Sequence, residues 1–159
     1  MTTPILFYGQ HREYPEFSNF YVAPIELHGR QYSTVEHYFQ ACKAKTRSAH
    51  EKIRKASTPA QAKRLGREVD LTPNWERLKT GFMLDALMAK FTQHEDLKQL
   101  LLSTGDLVIH EDSPTDAIWG WMGGSGQDLL GRLLMQVRAR LRKDAEYHAA
   151  KQSHRAAPE

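Results

Sequence analysis

The sequence predicts a mainly α-helical single domain with a few short β-strands. Three observations lead there. Apolar residues recur at helical spacing along much of the chain after Ser33, capping residues stand directly before two prolines, and strand-like patterning is confined to brief stretches. With 159 residues, 40% of them hydrophobic and 26% charged, the chain has the size and composition of one globular domain that buries its own core.

Residues 4–8, PILFY, read as a short strand, and residues 24–32 as a small hairpin turning at His28-Gly29, where the backbone needs positive φ. Ser33 reads as an N-cap. Val35, Tyr38, Phe39 and Cys42 follow at i, i+3, i+4 and i+7, so a helix is expected over 34–45. Thr58-Pro59 and Thr72-Pro73 each put a capping residue before a proline at the first helical position, and a helix is expected from each. The second is long: Trp75, Leu78, Phe82, Ala86 and Ala89 share a face, and the pattern runs to Phe91. After His94 a shorter helix, DLKQLLL, ends at Ser103-Thr104-Gly105, where glycine suits a left-handed cap. DLVIHED reads as a strand, and Pro114 to Gly126 as a loop containing TDAIWGWMGGSG. A last helix begins near Gln127, with Leu130, Leu133 or Leu134, Val137 and Leu141 at core spacing. The domain is expected to span 1–146, with the aperiodic residues 147–159 as a disordered tail.

Composition narrows the function. No apolar run approaches the roughly 18 residues of a membrane span, and MTTPILFYGQHREY lacks the features of a secretory signal, so a soluble cytoplasmic protein is expected. The single cysteine, Cys42, agrees with a reducing compartment. A balance of 22 basic and 19 acidic residues favours an anionic partner, and phosphate-bearing small molecules over bulk DNA. The eight histidines form no HExxH, and there are no paired cysteines, so neither a metal site nor a cofactor is expected. Ser125 lacks the Gly-x-Ser-x-Gly elbow and Cys42 lies on an apolar stripe, so neither is assigned as a nucleophile. Arg132, Arg138, Arg140, Arg142 and Lys143 make the last helix basic, which reads as a solvated face or, alternatively, as a nucleic-acid contact.

The stretch STVEHYFQACKAK concentrates the chemistry. Ser33-x-x-Glu36 matches a capping box, in which Glu36 would return to the cap residue's N–H. The rival reading is a site. Glu36, Gln40 and Lys43 fall at i, i+4 and i+7 on one face, with the Cα atoms of Glu36 and Lys43 about 10 Å apart, which suits flanking a sugar-sized ligand. Trp75 reads as core or as a ligand platform, and Trp119 and Trp121, set among glycines, as a lid or stacking surface. GWMGGSGQD before a helix suits an anion at the helix N-terminus.

Taken in series, Phe17-Ser-Asn-Phe20, Glu36-His-Tyr-Phe-Gln-Ala-Cys-Lys43, Asn74-Trp-Glu76 and Asp116-Ala-Ile-Trp-Gly120 resemble the YbiA/NADAR family of N-glycosidases, and the likeness runs in order from Phe7 to Leu141. The resemblance implies a single-domain, YbiA-like helical fold and hydrolysis of a C–N glycosidic bond. It implies two substrate classes, phosphorylated ribosylaminopyrimidine intermediates of riboflavin biosynthesis and, as the alternative, ADP-ribosylated guanine in nucleotides or nucleic acid. Glu36 and Lys43 are the implied catalytic pair. Phe17, Asn19, Phe20, Trp75, Asp116, Trp119 and Asp128 are the implied substrate-binding residues. Two positions depart from the pattern: Trp121 stands where family members often carry an acidic residue, and Asp128 where they often carry asparagine. A module that binds ADP-ribose-like ligands without cleaving them is the alternative from another class.

Overall fold

The computed structural model describes residues 2–10 and 12–155. Its elements run β1 (Ile5–Phe7), β2 (Ile25–Leu27), β3 (Arg30–Tyr32), α1 (Val35–Cys42), α2 (Arg47–Arg54), α3 (Pro59–Gly66), α4 (Trp75–Gln93), α5 (Glu95–Ser103), β4 (Ile109–Glu111) and α6 (Leu129–Arg155), with short 3-10 turns at Pro15–Phe17 and Met122–Gly124. This is the mainly helical domain that the sequence predicts. β2 and β3 pair antiparallel around His28 and Gly29, whose φ values of 55° and 77° fit a tight hairpin turn. β1 pairs in parallel with β4, Ile5 opposite Ile109, and so joins the two ends of the fold.

The helices wrap α1. It packs on α2, α3 and α4, and seven of its eight residues are buried, among them Glu36, His37 and Gln40. The expected cap is off by one residue. Thr34, not Ser33, caps the helix, its Oγ1 accepting from the His37 backbone N–H at 3.1 Å. His37 Nε2–H donates to the Ala56 carbonyl at 2.9 Å, so Nδ1 is the acceptor for the Thr34 hydroxyl 2.8 Å away. The Ser33–Glu36 capping box therefore does not form, and Glu36 is released for other work.

Other boundaries also move for physical reasons. α1 ends at Cys42 rather than 45, because Lys43 to Lys45 turn to meet 70–72: Lys45 N–H donates to Asp70 O at 3.0 Å and Thr72 N–H to Lys43 O at 2.7 Å, around an Ala44–Leu71 bridge. Thr72 is spent there, so α4 starts at Trp75 behind Asn74, whose φ of 63° breaks the chain direction. On α4 the buried face is Trp75, Met83, Ala86, Leu87, Ala89, Lys90 and Phe91, with Leu78 exposed outside it. α2 has no counterpart in the sequence reading, since Ile53 is its only buried residue. Thr58 caps α3 as expected, accepting from Gln61 N–H, and Gly105 with φ 60° follows α5. α6 continues through Arg155, its side chains exposed after Arg142, where a tail was expected from 147; the last four residues of that expectation lie outside the described ones. No described helix is long and apolar enough to cross a membrane.

Two arginines of the basic last helix do structural work. Arg138 is buried and donates to Thr104 Oγ1 at 2.9 Å and Leu107 O at 2.8 Å, and Arg142 donates to Gly105 O at 2.7 Å. They satisfy the Thr104 hydroxyl and the Gly105 and Leu107 carbonyls in the turn that follows α5.

Candidate active site

α1 carries the centre of the site. Glu36 is 6% exposed, and one carboxylate oxygen accepts from Gln40 Nε2 at 2.7 Å, one turn along the same face. Burial raises the Glu36 pKa and nearby Asp116 adds to the rise, against Gln40, Lys63 and Lys43, which favour the charged form. Lys43 ends the helix with its pKa lowered, first by burial and then by Lys63, Arg67 and Lys79, with Glu36 opposing. One helix thus presents an acid that holds its proton more readily than usual and an amine that releases its proton more readily.

Aromatic rings wall this pair. Phe39 is the hub: its ring lies 5.2 Å from Trp75 on α4, 5.2 Å from Trp119 in the loop before α6, and 5.8 Å from Lys43 Nζ. Trp75 is itself buried and stacks on Phe82 at 6.0 Å. Trp119 is held by Asp116, whose Oδ1 accepts from the backbone N–H groups of Ile118 at 3.0 Å and Trp119 at 2.9 Å. Asp116 therefore orients the ring while lying within electrostatic reach of Glu36.

The Ser18–Tyr21 loop closes another side. The Asn19 carbonyl accepts from Glu36 N–H at 3.1 Å, and Asn19 Nδ2 donates to Met83 Sδ at 3.5 Å. Asn19 Oδ1 and Gln40 Oε1 are buried without a hydrogen-bond partner among the described residues. The loop is anchored by Lys90, fully buried on α4, whose Nζ donates to Ser18 O at 3.0 Å; burial brings its pKa down to about 7. Phe20 is 38% exposed, with Lys63 Nζ 5.9 Å from its ring.

The structure thus gathers Glu36, Lys43, Asn19, Trp75, Asp116 and Trp119, with Phe20 at the edge, and sets two expected binding residues apart. Phe17 is wholly buried among Phe7, Tyr14 and Phe91, so it supports the loop from the core. Asp128 is also buried, with both oxygens engaged: Oδ1 accepts from Glu111 N–H at 3.1 Å and Oδ2 from His110 Nδ1–H at 2.8 Å. His110 stacks flat on Trp121, centroids 4.1 Å apart at 4°. Trp121 and Asp128, the two positions that depart from the expected pattern, therefore meet on one histidine.

Most of the glycine loop is closed to an anion. The backbone N–H groups of residues 124–129 are spent internally, Gly124 and Gly126 on Trp121 O, Ser125 on Met122 O, Gln127 on Ala117 O, Asp128 on Gly120 O and Leu129 on Ile118 O. It borders a separate cleft of about 350 Å³ with Tyr8, Arg12 and Asp112, away from Glu36 and Lys43. Cys42 shows the unreactive character expected of it, its thiol pushed up to about 12 by burial. Among the described residues no group of three or more His, Cys, Asp or Glu side chains is placed to hold a metal ion.

Sequence reasoning missed Gly66 and the cations near Lys43. A Cβ at Gly66 would lie 2.0 Å from Gln40 Oε1, so glycine lets α3 ride against the Gln40 side chain. No local pattern announces that contact, because it exists only between helices.

A helical domain that sets a buried acid and a half-buried amine beside three aromatic rings has the groups that an enzyme of general acid and amine chemistry needs. Residues 6–142 match the NADAR domain, and the chain belongs to that family. It is 44% identical over 142 residues to N-glycosidase YbiA of Escherichia coli (strain K12), covering 87% of this chain and 89% of that one. A riboflavin biosynthesis protein of Vibrio vulnificus (strain YJ016) is 37% identical over 151 residues, which take in 93% of this chain and 41% of the relative. The NMR structure of E. coli YbiA is similar with a TM-score of 0.83 and 42% identity, over 90% of this chain and 87% of that one.

Proposed function

We propose that this protein is an N-glycosidase that hydrolyses the C–N bond of phosphorylated ribosylaminopyrimidine intermediates of riboflavin biosynthesis. The observation that carries the reading is the pair along α1, buried Glu36 with its pKa raised and half-buried Lys43 at the helix end with its pKa lowered, beside the Phe39 ring cluster. The relatives' names, N-glycosidase and riboflavin biosynthesis protein, support the reaction and the substrate class.

Hydrolysis adds water across the bond between the anomeric carbon and the base nitrogen. Protonated Glu36 gives its proton to the sugar ring oxygen as the ring opens, and the nitrogen lone pair forms a C=N bond to the anomeric carbon. Neutral Lys43 adds to that carbon. Its excess proton passes to the base nitrogen, the old C–N bond breaks, and the base leaves as a free amine while Lys43 holds the sugar as an imine. Water then adds to the imine carbon with Glu36 carboxylate taking its proton, and the sugar aldehyde departs from the lysine. Trp75 and Trp119 flank the base, and the unpartnered Oδ1 of Asn19 is an acceptor for a sugar hydroxyl.

Wild type and Glu36→Gln are compared on a ribosylaminopyrimidine phosphate, following base release by chromatography. The variant keeps the shape and loses the titrating group, so turnover falls at least about a hundredfold. Its melting temperature holds or rises, since an amide never ionises in the buried position and its oxygen can still accept from Gln40. The same reactions quenched with borohydride leave a sugar adduct on Lys43 of the wild type. Full turnover by Glu36→Gln would sink the mechanism, and turnover without an adduct would mean that water attacks the anomeric carbon directly.

A further inference from the structure

Cations outnumber acids at the Lys43 end of the site. α3 is seated on α1 where Gly66 meets Gln40, and this brings Lys63, one turn earlier, and Arg67, the next residue, toward the same end of α1. The bridge between 43–45 and 70–72 brings in the first turns of α4, and with them Lys79. Lys79 is turned inward. Its side chain is 13% exposed, whereas its ion-pair partner Glu76 is 81% exposed. Among the described residues Lys43, Lys63 and Arg67 have no carboxylate within ion-pair distance. All three neighbours act electrostatically on Lys43, and Lys63 also acts on Glu36 and lies 5.9 Å from the centre of the Phe20 ring, so the cations lie near the same end of α1. Their like charges repel, weakly where Lys63 and Arg67 reach solvent, and a bound dianion would offset that repulsion.

We infer that Lys63, Arg67 and Lys79 receive the substrate's phosphate, fixing the sugar with its anomeric carbon between Glu36 and Lys43. This rests on the N-glycosidase reading above. Arg67 offers a planar fork and the lysines offer point charges, a combination suited to a terminal phosphate monoester. The glycine loop, the other anion candidate, has the N–H groups of residues 124–129 already spent and borders a different cleft, away from Lys43. Neutralising the three cations does not undo the Lys43 amine, because burial is the largest cause of its lowered pKa. The phosphate also gives Phe20 a role, since Lys63 lies over its exposed ring at the entrance.

Two measurements test this. Binding of ribose 5-phosphate and of inorganic phosphate is followed by NMR titration of wild type, Lys63→Met, Arg67→Met and Lys79→Met, with Arg12→Met in the glycine-loop cleft as the control. Each of the three substitutions weakens binding by about tenfold or more, and Arg12→Met does not. Lys63 and Arg67 are exposed and Lys79→Met keeps the buried stem, so folding is preserved. In the second measurement, kcat/KM is taken on phosphorylated and dephosphorylated ribosylaminopyrimidine. Wild type prefers the phosphorylated form by about a hundredfold, and Lys63→Met/Arg67→Met brings the ratio down at least about tenfold, through KM more than kcat. Failure of wild type to bind ribose 5-phosphate, or an unchanged preference in the double variant, overturns the inference. Phosphate binding that follows the three cations in a protein that turns over no N-glycoside supports the cation site and overturns the reaction proposed above.

Discussion

Two polar and aromatic regions lie side by side in this molecule, and they are finished to different degrees. Around His110, Asp128 and Trp121, both oxygens of Asp128 accept hydrogen bonds, the histidine ring lies flat on the indole, and the N–H groups of residues 124–129 are paired with carbonyls. Around Glu36, two buried side-chain oxygens lack partners, an acid and an amine are both shifted toward neutrality, and several cations lack acids. Buried polar groups are normally satisfied, so the first region holds the scaffold together and the second is completed by a ligand. Residue type does not separate them, since each contains a tryptophan and a buried carboxylate.

The contrast can be broken most forcefully by pH. Glu111, on the scaffold side beside Asp128, is buried, and burial followed by Asp116 raises its pKa from 4.5 to about 7. Its folded pKa is above its unfolded one, so its share of stability is present below pH 4.5 and lost as pH rises through about 7. The loss amounts to about 3 kcal/mol. Glu111→Gln flattens that part of a denaturation profile taken between pH 4 and pH 8, and an unchanged slope would show that the carboxyl is better solvated than its surroundings imply. Lys90, lowered to about 7, acts in the opposite sense, its share being complete above its unfolded pKa of 10.5 and lost as pH falls through 7.

Asp128→Ala comes next. It leaves the Glu111 N–H and the His110 ring without their acceptor, and stability falls by about 2 kcal/mol in urea unfolding while kcat/KM changes by less than about threefold. A large loss of turnover at unchanged stability would move Asp128 into the site. Asp128→Asn is milder, because asparagine tolerates the φ of 53° and keeps one acceptor.

Gly66→Ala is the finest probe and inverts that pattern. The new methyl group meets the flexible end of Gln40, so the side chain yields and the 2.7 Å bond to Glu36 is lost. Stability falls by about 1 kcal/mol, while turnover falls about tenfold. An effect on stability alone would mean that Gln40 does not tune Glu36.

How much of this was legible in the sequence depends on the range of the interaction. The hairpin turn, the Thr58 cap and the leucine spacing of α6 are local, and each appears where the residues put it. The shared face of Glu36, Gln40 and Lys43 was legible because it lies within one helix. Thr34 and Ser33 are both competent caps, and the choice was settled by His37 reaching back from the next turn. α2 was hidden because its eight residues are mostly charged or polar and bury only Ile53, too few apolar side chains to mark a core face. Phe17 and Asp128 were placed at the ligand by resemblance, whereas packing against Phe7 and Phe91 and hydrogen bonding to His110 put them in the scaffold. Lys63, Arg67 and Lys79 look like ordinary surface charges in sequence, and only the seating of α3 and α4 on α1 brings them to Lys43.

The backbone tie between Lys43 O and Thr72 N–H has a consequence for how such a chain can change. It works as a ruler. The stretch from Gly66 to Asn74 must leave α3 at one fixed point, pair with the end of α1, and deliver α4 with Trp75 against Phe39. One residue more or less would shift the register of that pairing and swing the α4 tryptophan and lysine away together. Insertions and deletions are thus expected to accumulate at exposed turns such as His28-Gly29, while the length of the 66–74 connection stays constant even as its side chains vary.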